Sequence, residues 1–278
     1  MIYIFIAYYG VWPSYFQHYL DSLAINDDLL QVIMITDIPT ENFALPNNIH
    51  LFEMSFSEIK IRAAEFLQEP QFEIPSHYKL CDFKIIYHIL FADILERLQI
   101  SETDHIGWGD IDLIYGKLSN FIPVLPSKNG IKFDLIGKQG HFTAFKNSPG
   151  FKSIYHDIDR LKIRLMDQRI MFVDENQGMD AIFKYIHANC LTFFPMHNFY
   201  CDVEHRIEEL TMVLRPKEVI KYLFFDNKSL TINFMDGSVQ ECIYIHLQKR
   251  IMNIIRVNYR NYNKIAGFFI TKNSFVTL

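Results

Sequence analysis

The sequence predicts an α/β domain: a mixed, Rossmann-type sheet flanked by helices, with a decorated C-terminal half. Three observations carry this. Apolar, β-branched runs alternate with amphipathic helical segments over the first 67 residues, the pattern of a sheet covered by helices. The chain has 278 residues, half of them hydrophobic, enough to bury a sizeable core. Gly and Pro are sparse and charged residues make up 21%, which excludes a disordered or collagen-like chain.

Met1 to Tyr9 reads as a buried strand ending at Gly10. Pro13 opens a helix whose Tyr15, Phe16, Tyr19, Leu20 and Leu23 share one face, and Asn26-Asp27-Asp28 closes it. Leu30 to Thr36 is a second strand, stopped by Asp37 and Pro39, and Ile49 to Met54 is a third. Ser55 and Glu58 have capping-box spacing ahead of a helix to about Leu67. After a polar loop, Lys79 to Leu98 carries the strongest helical periodicity, followed by a short strand from His105 to Trp108. Phe133 to Ile136 and Phe142 to Phe145 read as strands split by Gly137 to Gly140. Further on, the pattern predicts a helix near Val203 to Leu214 and a hairpin with arms Val219 to Phe225 and Ser229 to Phe234. A strand through Ile243 to Leu247 follows. No repeat or low-complexity linker appears, so residues 1–278 are expected to form one domain. Its halves are 1–116, through the acidic motif described next, and 117–278.

The net charge is −5, which argues against a whole-protein nucleic-acid binder. The charge is unevenly placed. Glu241 is the last acidic residue, so residues 242–278 carry +6 and residues 1–241 carry −11. No apolar run reaches the roughly 18 residues of a membrane-spanning helix, and residues 1–9 lack the basic leader and cleavage site of a signal peptide. The four cysteines are scattered, without C-x-x-C spacing, which disfavours zinc ribbons and disulfide frameworks. A reduced, cytoplasmic setting is expected.

The most informative stretch is Trp108-Gly-Asp-Ile-Asp-Leu-Ile114. Two carboxylates two residues apart point the same way on extended backbone. At a strand's end Asp110 and Asp112 make a hard oxygen site suited to Mg²⁺ or Mn²⁺. The competing reading is a solvated turn. Charged pairs are uncommon inside an apolar segment unless something compensates them, which favours the site.

The sequence resembles nucleotide-sugar-dependent glycosyltransferases of the GT-A fold, especially an uncharacterised bacterial type found among polysaccharide-synthesis proteins. The resemblance rests on Tyr9-Gly10 with Pro13-x-Tyr15-Phe16, Thr36-Asp37, and Tyr78-Lys-Leu-Cys-Asp-Phe-Lys84. It continues through Gly107-Trp-Gly-Asp-Ile-Asp-Leu-Ile-Tyr115, Gly140-His-Phe-Thr143 with Lys146-Asn147, and His246-Leu-Gln-Lys-Arg250. It implies a metal-dependent transferase, of hexosyltransferase type. Such an enzyme moves a sugar from a nucleoside diphosphate donor to a saccharide or lipid-linked acceptor, in surface polysaccharide synthesis. Asp112 would be the direct metal ligand, with Asp110 on the metal or the donor ribose. His246 would add a ligand, and Lys249, or Arg250 in its place, would contact the leaving phosphate. Neutralising the departing diphosphate would be the metal's catalytic task.

Beside that resemblance, Tyr8 and Asp37 sit at strand exits, where an open α/β sheet binds ligands. Tyr8 suits a planar base, and Asp37 suits base or ribose hydrogen bonding. Lys79, Asp82 and Lys84 are candidates for the donor site: the lysines offer positive charge for a diphosphate, while Asp82 near a helix N-terminus is favourable even without a ligand. Asp174 and Glu175 follow the apolar run Ile170 to Val173, which reads as a strand from whose end either could emerge, and are candidates for the base that takes the acceptor's proton. Gly140-His141 is a further candidate to line the acceptor pocket. Retaining or inverting stereochemistry stays open.

The sequence lacks a Walker lysine loop, a G-x-G-x-x-G fingerprint and a G-x-S-x-G elbow. A nucleotidyltransferase on a similar sheet and a non-catalytic binding protein that has kept the fold are the competing classes. The C-terminal basic segment carries Ile251, Ile254, Ile255, Tyr259, Tyr262, Phe268 and Phe269. It is expected either to rest on an anionic membrane surface, as a peripheral contact on the inner face, or to pack on the core as a solvated basic helix.

Overall fold

The computed structural model describes residues 1–125, 130–203, 211–212, 215–248, 250–257 and 267–277. The first part runs β1 (Ile2–Ala7), α1 (Phe16–Ala24), β2 (Leu30–Thr36), β3 (Ile49–Glu53) and α2 (Phe56–Leu67), followed by a 3₁₀ segment (His77–Ile86). It continues with α3 (Tyr87–Leu90), α4 (Ala92–Arg97), β4 (His105–Gly109) and β5 (Leu113–Tyr115), then the small hairpin β6 (Val124–Leu125) and β7 (Gly130–Ile131). Next come β8 (Leu135–Gln139), β9 (Phe142–Lys146), α5 (Pro149–Lys152), α6 (Leu161–Met166) and α7 (Gln177–Ala188). The last part holds β10 (Phe193–Phe194), β11 (Tyr200–Asp202), β12 (Thr211–Met212), β13 (Arg215–Phe225) and β14 (Leu230–Phe234). It ends with β15 (Val239–Glu241), β16 (Tyr244–His246), β17 (Asn253–Arg256), β18 (Phe268–Ile270) and β19 (Ser274–Thr277).

The fold is α/β. Seven strands form the main sheet in the order β10-β8-β9-β4-β1-β2-β3. The pairs β3-β2, β2-β1 and β1-β4 are parallel, and β9 runs antiparallel to both β4 and β8. Alternation along the strands builds two cores. Ile2, Ile4 and Ile6 of β1, with Val32 and Met34 of β2, pack against α1 and the C-terminal strands. Phe5, Ile33 and Ile35 face the opposite way, onto α2, the 3₁₀ segment and α7. Both faces are covered, which is why these strands read as nearly unbroken apolar runs. At the β4–β9 pairing the backbones come so close that a Cβ on Gly107 would lie 1.9 Å from the Thr143 carbonyl oxygen.

Local signals hold where they are short-range. Ser55 caps α2 in a full capping box with Glu58. Asn26, just past α1, is buried. Its amide donates to the Gly116 carbonyl at 2.9 Å and its oxygen accepts from the Leu118 N–H at 2.7 Å, tying the segment after β5 to α1. The hairpin of β13 and β14 forms at the expected place.

Four expectations are corrected. The long helix over Lys79 to Leu98 is instead a 3₁₀ segment followed by two short helices, broken at Phe91. In a 3₁₀ turn residues i and i+3 eclipse, which aligns Lys79 with Asp82 for a buried ion pair at 2.8 Å. Ile170 to Val173 is not a strand, because its amides turn inward to the Asp82 carboxylate. In the predicted helix near Val203 to Leu214, Val203 is a bridge residue and Thr211–Met212 is strand β12, paired with β13; residues 204–210 and 213–214 lie outside the described residues. The described residues of the basic C-terminal segment form strands and connecting loops, not a helix: β17 and β18 each pair with β19, and Phe268 is buried in the core. Tyr259, Arg260, Tyr262 and Lys264 lie outside the described residues. Among the described residues no helix is long and apolar enough to cross a membrane.

Candidate metal and ligand site

A cleft of about 590 Å³ opens at the carboxyl ends of β1 and β4, where an open α/β sheet gathers ligands. Tyr8, Lys84, Asp110, Asp112, Asp174 and Glu175 all line it.

Three strands meet to build its acidic corner. Asp110 and Asp112 lie in the link between β4 and β5, with the Asp110 N–H donating to the His141 carbonyl at 2.9 Å. A separate three-stranded sheet, β11-β16-β5, follows, and in it β16 places His246 directly opposite Leu113. The Leu247 N–H donates to the Asp112 carbonyl at 2.9 Å, which fixes the register next to the acidic pair. Asp110, Asp112 and His246 therefore each offer a ligand atom, all within 4.8 Å of one another.

The histidine is oriented from behind. In the parallel β11–β16 pairing Asp202 sits opposite His246, so both side chains leave the same face. His246 Nδ1 lies 3.0 Å from Asp202 Oδ1, and Nε2 lies 3.6 Å from Asp112 Oδ1. Gln248 donates to the same Asp202 oxygen at 2.6 Å. A carboxylate on one imidazole nitrogen leaves the other to face a metal. The His141 ring stacks on His246 at 4.1 Å between centroids and meets the Tyr244 hydroxyl at 3.1 Å through Nε2. Burial works against charge on His246, but Asp112 and Asp202 outweigh it and hold its pKa up at about 10. Burial, with His246 and Lys84 nearby, pushes His141 well below the ordinary histidine value. Two carboxylates and an imidazole are a donor set that fits Mg²⁺ or Mn²⁺. A cation there would displace the His246 proton.

Lys84 is the second hub. Its ammonium donates to Asp110 Oδ1 at 2.7 Å and to the Gly140 carbonyl at 2.7 Å, and lies 3.1 Å from Asp174 Oδ2. Burial disfavours its charge, yet Asp110 and Asp174 hold its pKa well above the ordinary lysine value. Asp174 is 2% exposed, and its Oδ1 is buried with no hydrogen-bond partner. Burial raises its pKa to about 7 against the opposing pull of Lys84, with Asp110 and Glu175 adding to the rise. Gly140 makes room for both acidic neighbours: a Cβ there would lie 2.4 Å from Glu175 Cγ and 2.9 Å from Asp174 Oδ2.

The Asp174 shift has a consequence for stability. A carboxyl whose pKa is higher in the folded state binds a proton that the unfolded chain releases. Its contribution is fully present below about pH 4 and is lost as pH rises through about 7. Asp174→Asn is expected to remove that loss, of the order of 4 kcal/mol at most. Urea unfolding of parent and variant at pH 5 and pH 8 checks this. A parent and variant that lose stability equally between the two values would contradict it.

The other predicted residues separate. Tyr8 lines the cleft, its ring stacked on Trp12 at 5.3 Å and its hydroxyl donating to the Val11 carbonyl. Arg250 also lines it, and donates to the Lys272 carbonyl at 2.7 Å. Lys249 lies outside the described residues. Lys79 and Asp82 do not reach the cleft. Both are fully buried, and the Lys79 ammonium is engaged by Asp82 and by the carbonyls of Arg164 and Arg169. Asp37 is exposed away from the cleft lining and accepts the Phe56 N–H at 3.3 Å. His141 packs behind His246 and does not line the cleft.

A family model described as a family of unknown function (DUF6625) matches residues 4–278. The chain belongs to this family. No curated protein matches it. Two residues of this DUF6625 chain matter to the site without standing out in its sequence. Asp202 precedes a stretch with the pattern of a helix, and only its pairing opposite His246, 44 positions away, marks it. Phe172 reads as one more apolar residue in a run, and its backbone conformation sets it apart.

Proposed function

We propose that this chain is a metal-dependent glycosyltransferase, transferring a sugar from a nucleoside diphosphate donor to a saccharide or lipid-linked acceptor. The observation that supports the reading is the convergence of Asp110, Asp112 and His246, with the two carboxylates lining a cleft on the carboxyl edge of the sheet and His246 set behind them. Asp110, Asp112 and His246 would hold Mn²⁺ or Mg²⁺. When bound, that ion supplies Lewis-acid neutralisation of the diphosphate. Asp202 holds His246 in the orientation that presents Nε2 to the site. Lys84 neutralises part of the acidic wall, and Arg250 gives the cleft a guanidinium for phosphate. Tyr8 offers an aromatic surface at the β1 exit for the base. Asp174, with its pKa near neutrality, suits proton transfer from an acceptor hydroxyl. Cytoplasmic placement belongs with such donors, and the exposed Ile251 and Ile255 are the described part of the peripheral membrane contact in this reading.

The test is nucleotide release from a panel of UDP-, GDP- and dTDP-sugars, with Mn²⁺ and with EDTA. Release of nucleoside diphosphate from at least one donor, lost in EDTA, is expected. Absence of release from every donor, or pyrophosphate release from a nucleoside triphosphate instead, would overturn the reading.

A further inference from the structure

Phe172 is held in the left-handed region at φ 51°, where glycine is the default and bulky side chains are rare. Its surroundings impose that conformation. The N–H groups on either side, Met171 and Val173, donate to the two oxygens of the buried Asp82 at 2.9 and 3.1 Å. The Phe172 carbonyl accepts from Glu175 and Asn176, closing the turn beyond it. Met171 and Val173 pack with the core, whereas the Phe172 ring is 42% exposed and lines the cleft. An aromatic held in an unfavourable backbone well, without the return of burial, points to a use outside folding.

The residues beside it indicate what that use is. Asp174 presents a buried oxygen with no partner, and Glu175 lines the same wall. An apolar flat face next to carboxylates matches a sugar ring. Its C–H face is slightly positive and meets the negative face of an aromatic ring, while its edge carries hydroxyl donors. We propose that Phe172 is a stacking platform for a pyranose ring, with Asp174 and Glu175 accepting hydrogen bonds from the ring's hydroxyls. This rests on the glycosyltransferase reading and adds to it a residue that touches the sugar.

The ring belongs either to the acceptor or to the donor's sugar, and the experiment separates the two. Parent, Phe172→Leu, Phe172→Gly and Phe172→Trp are compared by saturation-transfer NMR and calorimetry. The probes are the methyl pyranosides of glucose, galactose and mannose and the corresponding open-chain alditols. The KM for the active nucleotide sugar and the affinity for the free nucleoside diphosphate are measured alongside. An acceptor ring predicts that a methyl pyranoside binds and its alditol does not. Leu and Gly then weaken that binding about tenfold, Trp preserves it, and donor KM is unchanged. A donor ring predicts a donor KM about tenfold higher in Leu and Gly, with nucleoside diphosphate affinity unchanged. All three variants are expected to melt within about 3 °C of the parent, since the Asp82 grip is to backbone N–H groups that each variant keeps. The proposal is overturned if Leu matches the parent in both pyranoside binding and donor KM, or if alditols bind as well as pyranosides. Failure of the glycosyltransferase reading would look different: no nucleotide release from the parent, with Phe172-dependent pyranoside binding intact.

Discussion

Asp112→Asn is expected to lower metal-dependent nucleotide release by about 10²- to 10³-fold while leaving the fold intact. The side chain is 6% exposed and faces His246. Asn keeps its volume and removes a charge that the proposed divalent cation would need. The backbone is unaffected, because the register next to it depends on the Asp112 carbonyl accepting from Leu247. Stability is expected to hold or fall slightly, since Asp112 is one of the two carboxylates that keep the buried His246 charged and Asp202 remains to do so. Mn²⁺ titration calorimetry and nucleotide release on the same preparation check both halves. Full activity at ordinary Mn²⁺ concentrations would remove Asp112 from the site.

Asp82→Ala is expected to cost about 3–5 kcal/mol of stability, the range for breaking a buried ion pair by removing one partner. The substitution leaves the Lys79 ammonium fully buried without its carboxylate, and it strands the N–H groups of Met171 and Val173. Those two bonds hold the wall that presents Phe172, Asp174 and Glu175, so the cleft is expected to lose its shape before the sheet unfolds. Equilibrium urea unfolding gives the magnitude. Hydrogen exchange at residues 169–176 gives the locality, with early loss of protection there expected. A Lys79→Met, Asp82→Leu double variant is expected to recover much of the global stability, because an apolar pair can replace a buried ion pair. It would not recover the protection at 171 and 173. A loss below about 1 kcal/mol in Asp82→Ala would contradict the clamp.

What is legible in the sequence follows the range of the interactions. The strands of the main sheet show in β-branched runs, and the start of α2 shows in Ser55 and Glu58, because both depend on neighbours within a few positions. Asp110 and Asp112 stand out because two charges interrupt an apolar stretch. Lys79 and Asp82 mislead for a physical reason. Their i, i+3 spacing is the same on a solvated helix and on a buried 3₁₀ turn, and only the packing of residues 164–173 around them separates the two. Asp202 leaves no local signal, since its significance comes from a partner in another strand. The apolar run ending at Val173 suggests a strand, but its amides bond a side chain rather than a neighbouring strand.

The three-stranded β11-β16-β5 sheet also governs when the site can exist. Asp110 and Asp112 are synthesised well before Asp202 and His246, and no stretch of the chain shorter than the span from Asp110 to His246 contains the full set. Bringing such distant segments together requires loop closure that local helices and hairpins do not. The acidic corner therefore depends on long-range closure rather than on any local element. A chain ending before β16 would carry Asp110 and Asp112 without His246. The cluster of Asp110, Asp112 and His246 thus exists only in a chain that extends as far as His246 and has folded back onto β5.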